Sequence, residues 1–194
     1  MVSRCGYELE EISYEYYALN AETMQQQEIV ENKSGDTSTD EPREWNKDDD
    51  SYYFFAEQMY GGLPIYYGNQ MFPDDGVTNR PVQALYSSRG VERLYVNNIY
   101  RIIESGKNVS LLDFDTLAET VSNKYGNLLT TATYYVNRAK LYYIPVVASE
   151  GQYELRLAWL FEIHEKGIEN ENGSEYETTV YTFLDAQTGE EVAV

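Results

Sequence analysis

From residue 153 to residue 164 the chain alternates well. Tyr153, Leu155, Leu157, Trp159, Phe161 and Ile163 fall on one parity, and Glu154, Arg156, Glu162 and His164 on the other. A period of two is what a strand needs to bury one face and wet the other. Asn172-Gly173 downstream is a hairpin signal, and residues 175–184 read as the return strand. Asp185-Ala186-Gln187-Thr188-Gly189 then reads as a tight turn, with Asp185 accepting backbone amides and Gly189 taking the left-handed conformation. Residues 190–194 close as a short strand.

Upstream, residues 131–147 are rich in Tyr, Val and Ile and predict a further strand, with Pro145 near its end. Between 111 and 129 the period changes. Phe114, Leu117, Ala118, Val121, Tyr125 and Leu128 follow helical spacing. The helix is expected at about 113–125, with Asp113 as N-cap, Asp115 in the first turn and Gly126 as the stop. Val82–Tyr86 and Val91–Ile103 flank Ser87-Ser88-Arg89-Gly90 and predict a hairpin.

The first part of the chain is less regular. Residues 7–19 predict an edge or bulged strand. Residues 31–50 read as a polar loop, with Trp45 as an anchor docking it on the body. Residues 51–60 fit helix or strand equally. Pro64 allows at best an edge strand over 63–67. Strands, one helix, then strands, without βαβ alternation, give an α+β fold with an antiparallel sheet on one principal helix. The expected division is 1–81, a strand-rich region related or appended to the rest, and 82–194, the α+β domain.

Several function classes are excluded early. The 194 residues carry 14 Lys+Arg against 33 Asp+Glu, a formal net charge of -19. No basic footprint exists for nucleic acid or an anionic membrane surface. No apolar run is long enough for a transmembrane helix. The single cysteine, Cys5, forms neither an internal disulfide nor a thiolate metal site within this chain. It reads as an incidental thiol near the N-terminus or as a modified one. The single histidine, His164, reads as a solvent-side strand residue. Asp48-Asp49-Asp50 and Asp74-Asp75 lack the ligand spacing of an EF-hand and read as solvated acidic loops, with calcium left open. Phosphate-loop, nucleophile-elbow and zinc-protease motifs are absent. No carboxylate pair stands out as a glycosidase site. No catalytic, metal or cofactor residue is therefore assigned.

Tyrosine is the remaining signal. The chain holds 20, many in doublets: Tyr16-Tyr17, Tyr52-Tyr53, Tyr66-Tyr67, Tyr134-Tyr135 and Tyr142-Tyr143. On a strand each doublet sends one ring to each face. Outward rings suit protein contact or stacking on sugars. Tyr66, Tyr67, Tyr134 and Tyr142 are the candidate contact residues. The plainer alternative is that Tyr simply has high strand propensity.

The C-terminal half carries a resemblance. A helix precedes Tyr142-Tyr143-Ile144-Pro145. Then come Leu157-Ala158-Trp159-Leu160-Phe161 and Tyr181-Thr182-Phe183-Leu184-Asp185-Ala186-Gln187-Thr188-Gly189-Glu190. This resembles the PepSY-like domain and the YycH/YycI type of extracytoplasmic regulator, as in lipoproteins of Gram-positive gut bacteria. Leu157 stands where the PepSY pattern has proline. The resemblance covers about residues 82–194. It implies a non-catalytic domain outside the cytoplasm, membrane-anchored through an N-terminal segment not in this sequence, without a cofactor, binding a protein partner in a regulatory or inhibitory capacity. The alternative is a glycan-binding module using exposed Tyr and Trp.

Overall fold

The computed structural model describes residues 11–26, 44–67, 80–97, 99–103, 108–168 and 173–192. Cys5, Asp74, Asp75 and Asn172 lie outside them, as do residues 7–10 of the first expected strand. The chain divides into two units, residues 1–59 with 69–101 and residues 60–68 with 102–194. The expected boundary at 81/82 is thus not where the units separate. The hairpin after Pro81 belongs to the first unit, because its leading strand pairs with the earlier strand over residues 51–60.

The first unit is built on an antiparallel sheet. Its strands β1 (Glu11–Leu19), β2 (Ser51–Tyr60), β4 (Val82–Ser87) and β5 (Gly90–Val96) lie in the order β1-β2-β4-β5. Residues 51–60, ambiguous in sequence, form a strand because β1 and β4 flank them on both sides. Gly90, at φ 104, makes the turn into β5. A bulge at Leu85/Tyr86 follows on the paired strand. On one face Phe55 is buried against the edges of Tyr17 and Tyr53, with ring centroids 5.6 and 4.4 Å away. Buried Glu57 on that face pairs with Arg80. At the end of the sheet, a single 3-10 turn, Lys47–Asp49, is held by a reciprocal cap between Asn46 and Asp49. Trp45 is half-buried, and its backbone N–H donates to Gln25 Oε1 at 3.2 Å.

The second unit contains the expected α+β arrangement. Strands β6 (Thr133–Ser149), β7 (Gln152–Ile168) and β8 (Glu175–Asp185) form an antiparallel sheet in that order. Helix α1 (Phe114–Gly126) covers one face. Its Leu117 and Val121 form a core with Phe161, Ile163 and Leu184. Trp159 packs at the margin of this core, its ring 4.7 Å from that of Phe114. Buried Thr182 accounts for its hydroxyl through Tyr125 Oη at 2.8 Å and Lys124 Nζ at 3.3 Å.

Two helix-end expectations change. Asp113 has the extended backbone of an N-cap, but its side chain makes no cap hydrogen bond. Gly126 remains helical, and the C-cap is Asn127 at φ -95. The turn after β8 matches expectation. Asp185 Oδ1 accepts from the amides of Gln187 and Thr188 at 2.8 and 3.0 Å, and Gly189 sits at φ 73. Gly173 likewise has φ 72.

The opposite face of the second sheet is also covered over part of its length. The segment 60–67, containing the short β3 (Leu63–Pro64), lies along β6. Ile65 bridges Tyr143 in parallel, and the Tyr66 N–H donates to the Tyr143 carbonyl at 2.7 Å. This pairing extends the sheet at its β6 edge, and the Tyr66 ring reaches over the face away from α1 to Tyr142 and Phe183, where Ala158 and Leu160 are also buried.

Candidate functional site

That double coverage decides the fate of the candidate tyrosines. Tyr66, Tyr67 and Tyr142 are 8%, 6% and 4% exposed. The Tyr66 ring stands edge-on to Phe183 at 4.8 Å and to Tyr142 at 5.8 Å. These three residues are core, and the reading of them as a contact surface is corrected. The doublet rule sends one ring to each face, but here both faces are buried. Tyr134 is half-buried and lines a cleft of about 400 Å³ beside Val121, Tyr125, Leu128 and Ile163. Burial, with Glu165 beside it, raises the Tyr134 pKa.

The outward tyrosines are elsewhere, on the first sheet. Register places Ile12, Tyr14 and Tyr16 of β1, Tyr52 and Phe54 of β2, Tyr86 of β4 and Val91 of β5 on one face. All except half-buried Phe54 are exposed, Tyr14 at 64% and Tyr16 at 58%. Tyr16 lies 6.1 Å from Tyr52 and 5.8 Å from Phe54, and Tyr52 lies 6.3 Å from Phe54. No register position on this face, from Ile12 across to Val96, holds Asp, Glu, Lys or Arg. The paired charges Glu57 and Arg80 belong to the other side, with Glu15 3.9 Å from Arg80. In a chain that is 24% charged, the paired positions of this face are all uncharged, with Val82 and Ala84 buried in its middle and the rings exposed around them. Toward one end the face is closed by Gln58, whose side chain exchanges hydrogen bonds with the backbone of Tyr100 at 2.7 and 3.0 Å. Toward the other end, at Tyr16, Tyr52 and Tyr86, the face is open.

A second constellation occupies the uncovered end of the β6-β7-β8 sheet, on the side away from α1. Glu162 is buried, and Asn137 and Arg138 both donate to it. The Arg138 fork reaches Glu162 Oε2 at 3.0 and 2.7 Å. His164 joins Glu162 Oε1 at 3.1 Å through Nε2 and Glu177 Oε1 at 3.2 Å through Nδ1. Tyr135 Oη donates to Glu177 Oε1 at 3.0 Å, and Lys166 Nζ is 3.2 Å from Glu177 Oε2. His164 is thus no isolated solvent-side residue. Glu177 and then Glu162 raise its pKa. Burial pushes the Glu162 carboxyl up, but the bonds from Asn137, Arg138 and His164 outweigh it and leave the pKa lowered. Glu177 is lowered by His164, Tyr135 and Lys166.

The network is closed on itself. Its carboxylates already accept from cations and amides of the same sheet, which suits fastening three strands. Among the described residues no group of three or more His, Cys, Asp or Glu is placed to hold a metal ion. The Asp48–Asp50 run is engaged in local structure, with Asp49 Oδ2 accepting from the Asn46 amide and Asp50 Oδ1 from that of Ala21. Among the described residues no helix is long and apolar enough to cross a membrane.

The aromatic face was half visible in the sequence. The doublets Tyr16-Tyr17 and Tyr52-Tyr53 stand out in the sequence, but nothing local distinguishes them from Tyr66-Tyr67. The signal that does so is the absence of charge at the paired positions of this face, and it appears only once the register and the β5 bulge at Glu92 are known.

No family model and no curated protein matches the chain. A solved structure does. A crystal structure of an uncharacterized protein from Eubacterium rectale is similar over 94% of this chain with a TM-score of 0.62 and 18% identity. This chain spans half the length of that protein. At that identity the likeness shows a shared fold.

Proposed function

We propose that this protein is a non-catalytic binding module that works by contact with a partner protein through the aromatic face of its first sheet. The observation that carries this reading is the charge-free face on which Tyr14, Tyr16, Tyr52 and Tyr86 stand exposed. Leaving those rings in water forgoes burial energy of about 25 cal/mol per Å² of apolar surface, which a partner recovers. The rings are stiff and amphipathic, so ordering them on binding costs little. The resemblance of the C-terminal half to PepSY-like and YycI-like regulators supports the same mode of action, outside the cytoplasm and in a regulatory or inhibitory role.

A glycan platform is the second reading, favoured by the ring cluster of Tyr16, Tyr52 and Phe54. The breadth of the face, which spans four strands, favours a protein. A photo-crosslinking residue placed at Tyr52 in the source cells tests the reading. A specific protein adduct is expected from that position, reduced by Tyr16→Ser and absent when the same probe replaces Tyr153 on the second unit. Equal adducts from both positions, or binding of Tyr52-dependent glycans without a protein adduct, would overturn it.

A further inference from the structure

We infer that the partner element seated on this face is a cationic amphipathic helix. The inference rests on the reading of the face as a contact surface and specifies its occupant.

The first argument is shape. The second sheet shows how this chain covers an apolar sheet face: Leu117 and Val121 of α1 lie on Phe161 and Ile163. A helix with an apolar stripe at helical spacing matches such a surface. The first sheet has an apolar face of its own, on which Ile12, Tyr14, Tyr16, Tyr52 and Tyr86 are exposed. The second argument is charge. The chain carries a net -19, which draws a cationic partner from a distance. At the open end of the face stands the acidic turn, tied to the sheet where Ser88 Oγ donates to the Asp48 carbonyl at 3.3 Å. Asp48 and Asp49 belong to it beside Lys47, and Asp50 follows directly, so the acids outnumber the cation three to one. The third argument is the rings themselves. Lysines above tyrosine faces already occur in this chain, Lys140 over Tyr142 at 4.9 Å and Lys166 over Tyr135 at 5.4 Å. A helix with Leu or Ile along one stripe and Lys or Arg along its flanks would put its apolar side on Tyr16, Tyr52 and Tyr86 and its cations over ring faces and beside the acidic turn.

The test uses the full chain and a fluorescein-labelled Leu/Lys peptide patterned at helical spacing, with a scrambled peptide of identical composition as control. The patterned peptide is expected to bind at least ~10-fold more tightly than the scrambled one and to gain helical circular dichroism on binding. The combined change Tyr16→Ser with Tyr52→Ser should weaken it by ~10-fold or more. Ile12→Lys, a single change at an exposed strand position, should weaken it in the same direction by like-charge repulsion. Asp48→Asn with Asp49→Asn should weaken it and flatten its salt dependence. Equal binding of the two peptides, or binding untouched by the tyrosine and Ile12 changes, would overturn the inference. A Tyr52 crosslink in cells together with no preference for the patterned peptide would remove the helix and leave the contact surface standing. Loss of the crosslink would remove both.

Discussion

His164 Nε2 lies 3.1 Å from Oε1 of Glu162, a buried carboxylate two residues earlier on the same strand and face. Its other nitrogen faces Glu177 on β8. Only the imidazolium donates from both nitrogens at once, so the protonated form is the one that serves both carboxylates together.

The pKa of His164 should therefore titrate above the ordinary histidine value of about 6.5. Because it is the only histidine, its ring resonances report this without assignment by mutation. Glu177→Gln should bring the pKa down. A titration at or below about 6.5 in the unaltered protein would contradict the geometry.

Stability should follow these shifts. The raised His164 pKa gives a contribution that is complete below the unfolded value near 6.5 and is lost as pH rises through the folded value. The lowered Glu162 and Glu177 pKa values give contributions present above the usual carboxylate range and lost as pH falls through their folded values. Urea melts across this range should show a maximum between the two, with its alkaline side flattened in His164→Asn.

Glu162→Ala removes the acceptor shared by Asn137, Arg138 and His164. A buried carboxylate holding several donors should cost about 2–4 kcal/mol when deleted. Arg156→Ala, whose guanidinium meets only exposed Glu154 among the described contacts, should cost less than about 1 kcal/mol. Denaturant melts of both variants measure the contrast.

The two faces of β2 should respond oppositely. Phe55→Ala empties a site that is 3% exposed and should cost about 3–5 kcal/mol. Tyr52→Ser, on the open face, should change stability by less than about 1 kcal/mol while weakening partner contact. Equal destabilisation by both would mean that the open face is part of the fold's own core.

Gly189→Ala should destabilise the second unit by about 1–2 kcal/mol. Its φ of 73 is strained for an L side chain, and an added Cβ would meet Leu112 Cδ1 at 3.3 Å. Gly167→Ala adds a contact of a different kind. Its Cβ would fall 2.6 Å from the Tyr176 ring, whose hydroxyl donates to Glu165, so the ring must move and that bond should break. Loss of the Tyr176–Glu165 coupling in a double-mutant cycle would register it.

The sequence by itself determined the elements whose signals are local. The alternation through Trp159 and Ile163, the helical spacing of Leu117 and Val121, and the Asp185–Gly189 turn each need only the chain's own period or one residue's backbone preference. It also determined the α+β class. Tertiary structure alone decided which tyrosines face water. Tyr66 and Tyr142 are buried because the segment 60–67 docks along β6 far from it in sequence, whereas Tyr16 and Tyr52 stay exposed on an open face. It likewise converted His164 from a strand residue into the centre of a network, by bringing Glu177 from β8 to the Glu162–His164 pair and Arg138 across a bulge in β6. Strand propensity is a property of each residue, but which face is dry and which charge meets which depends on partners that pairing supplies.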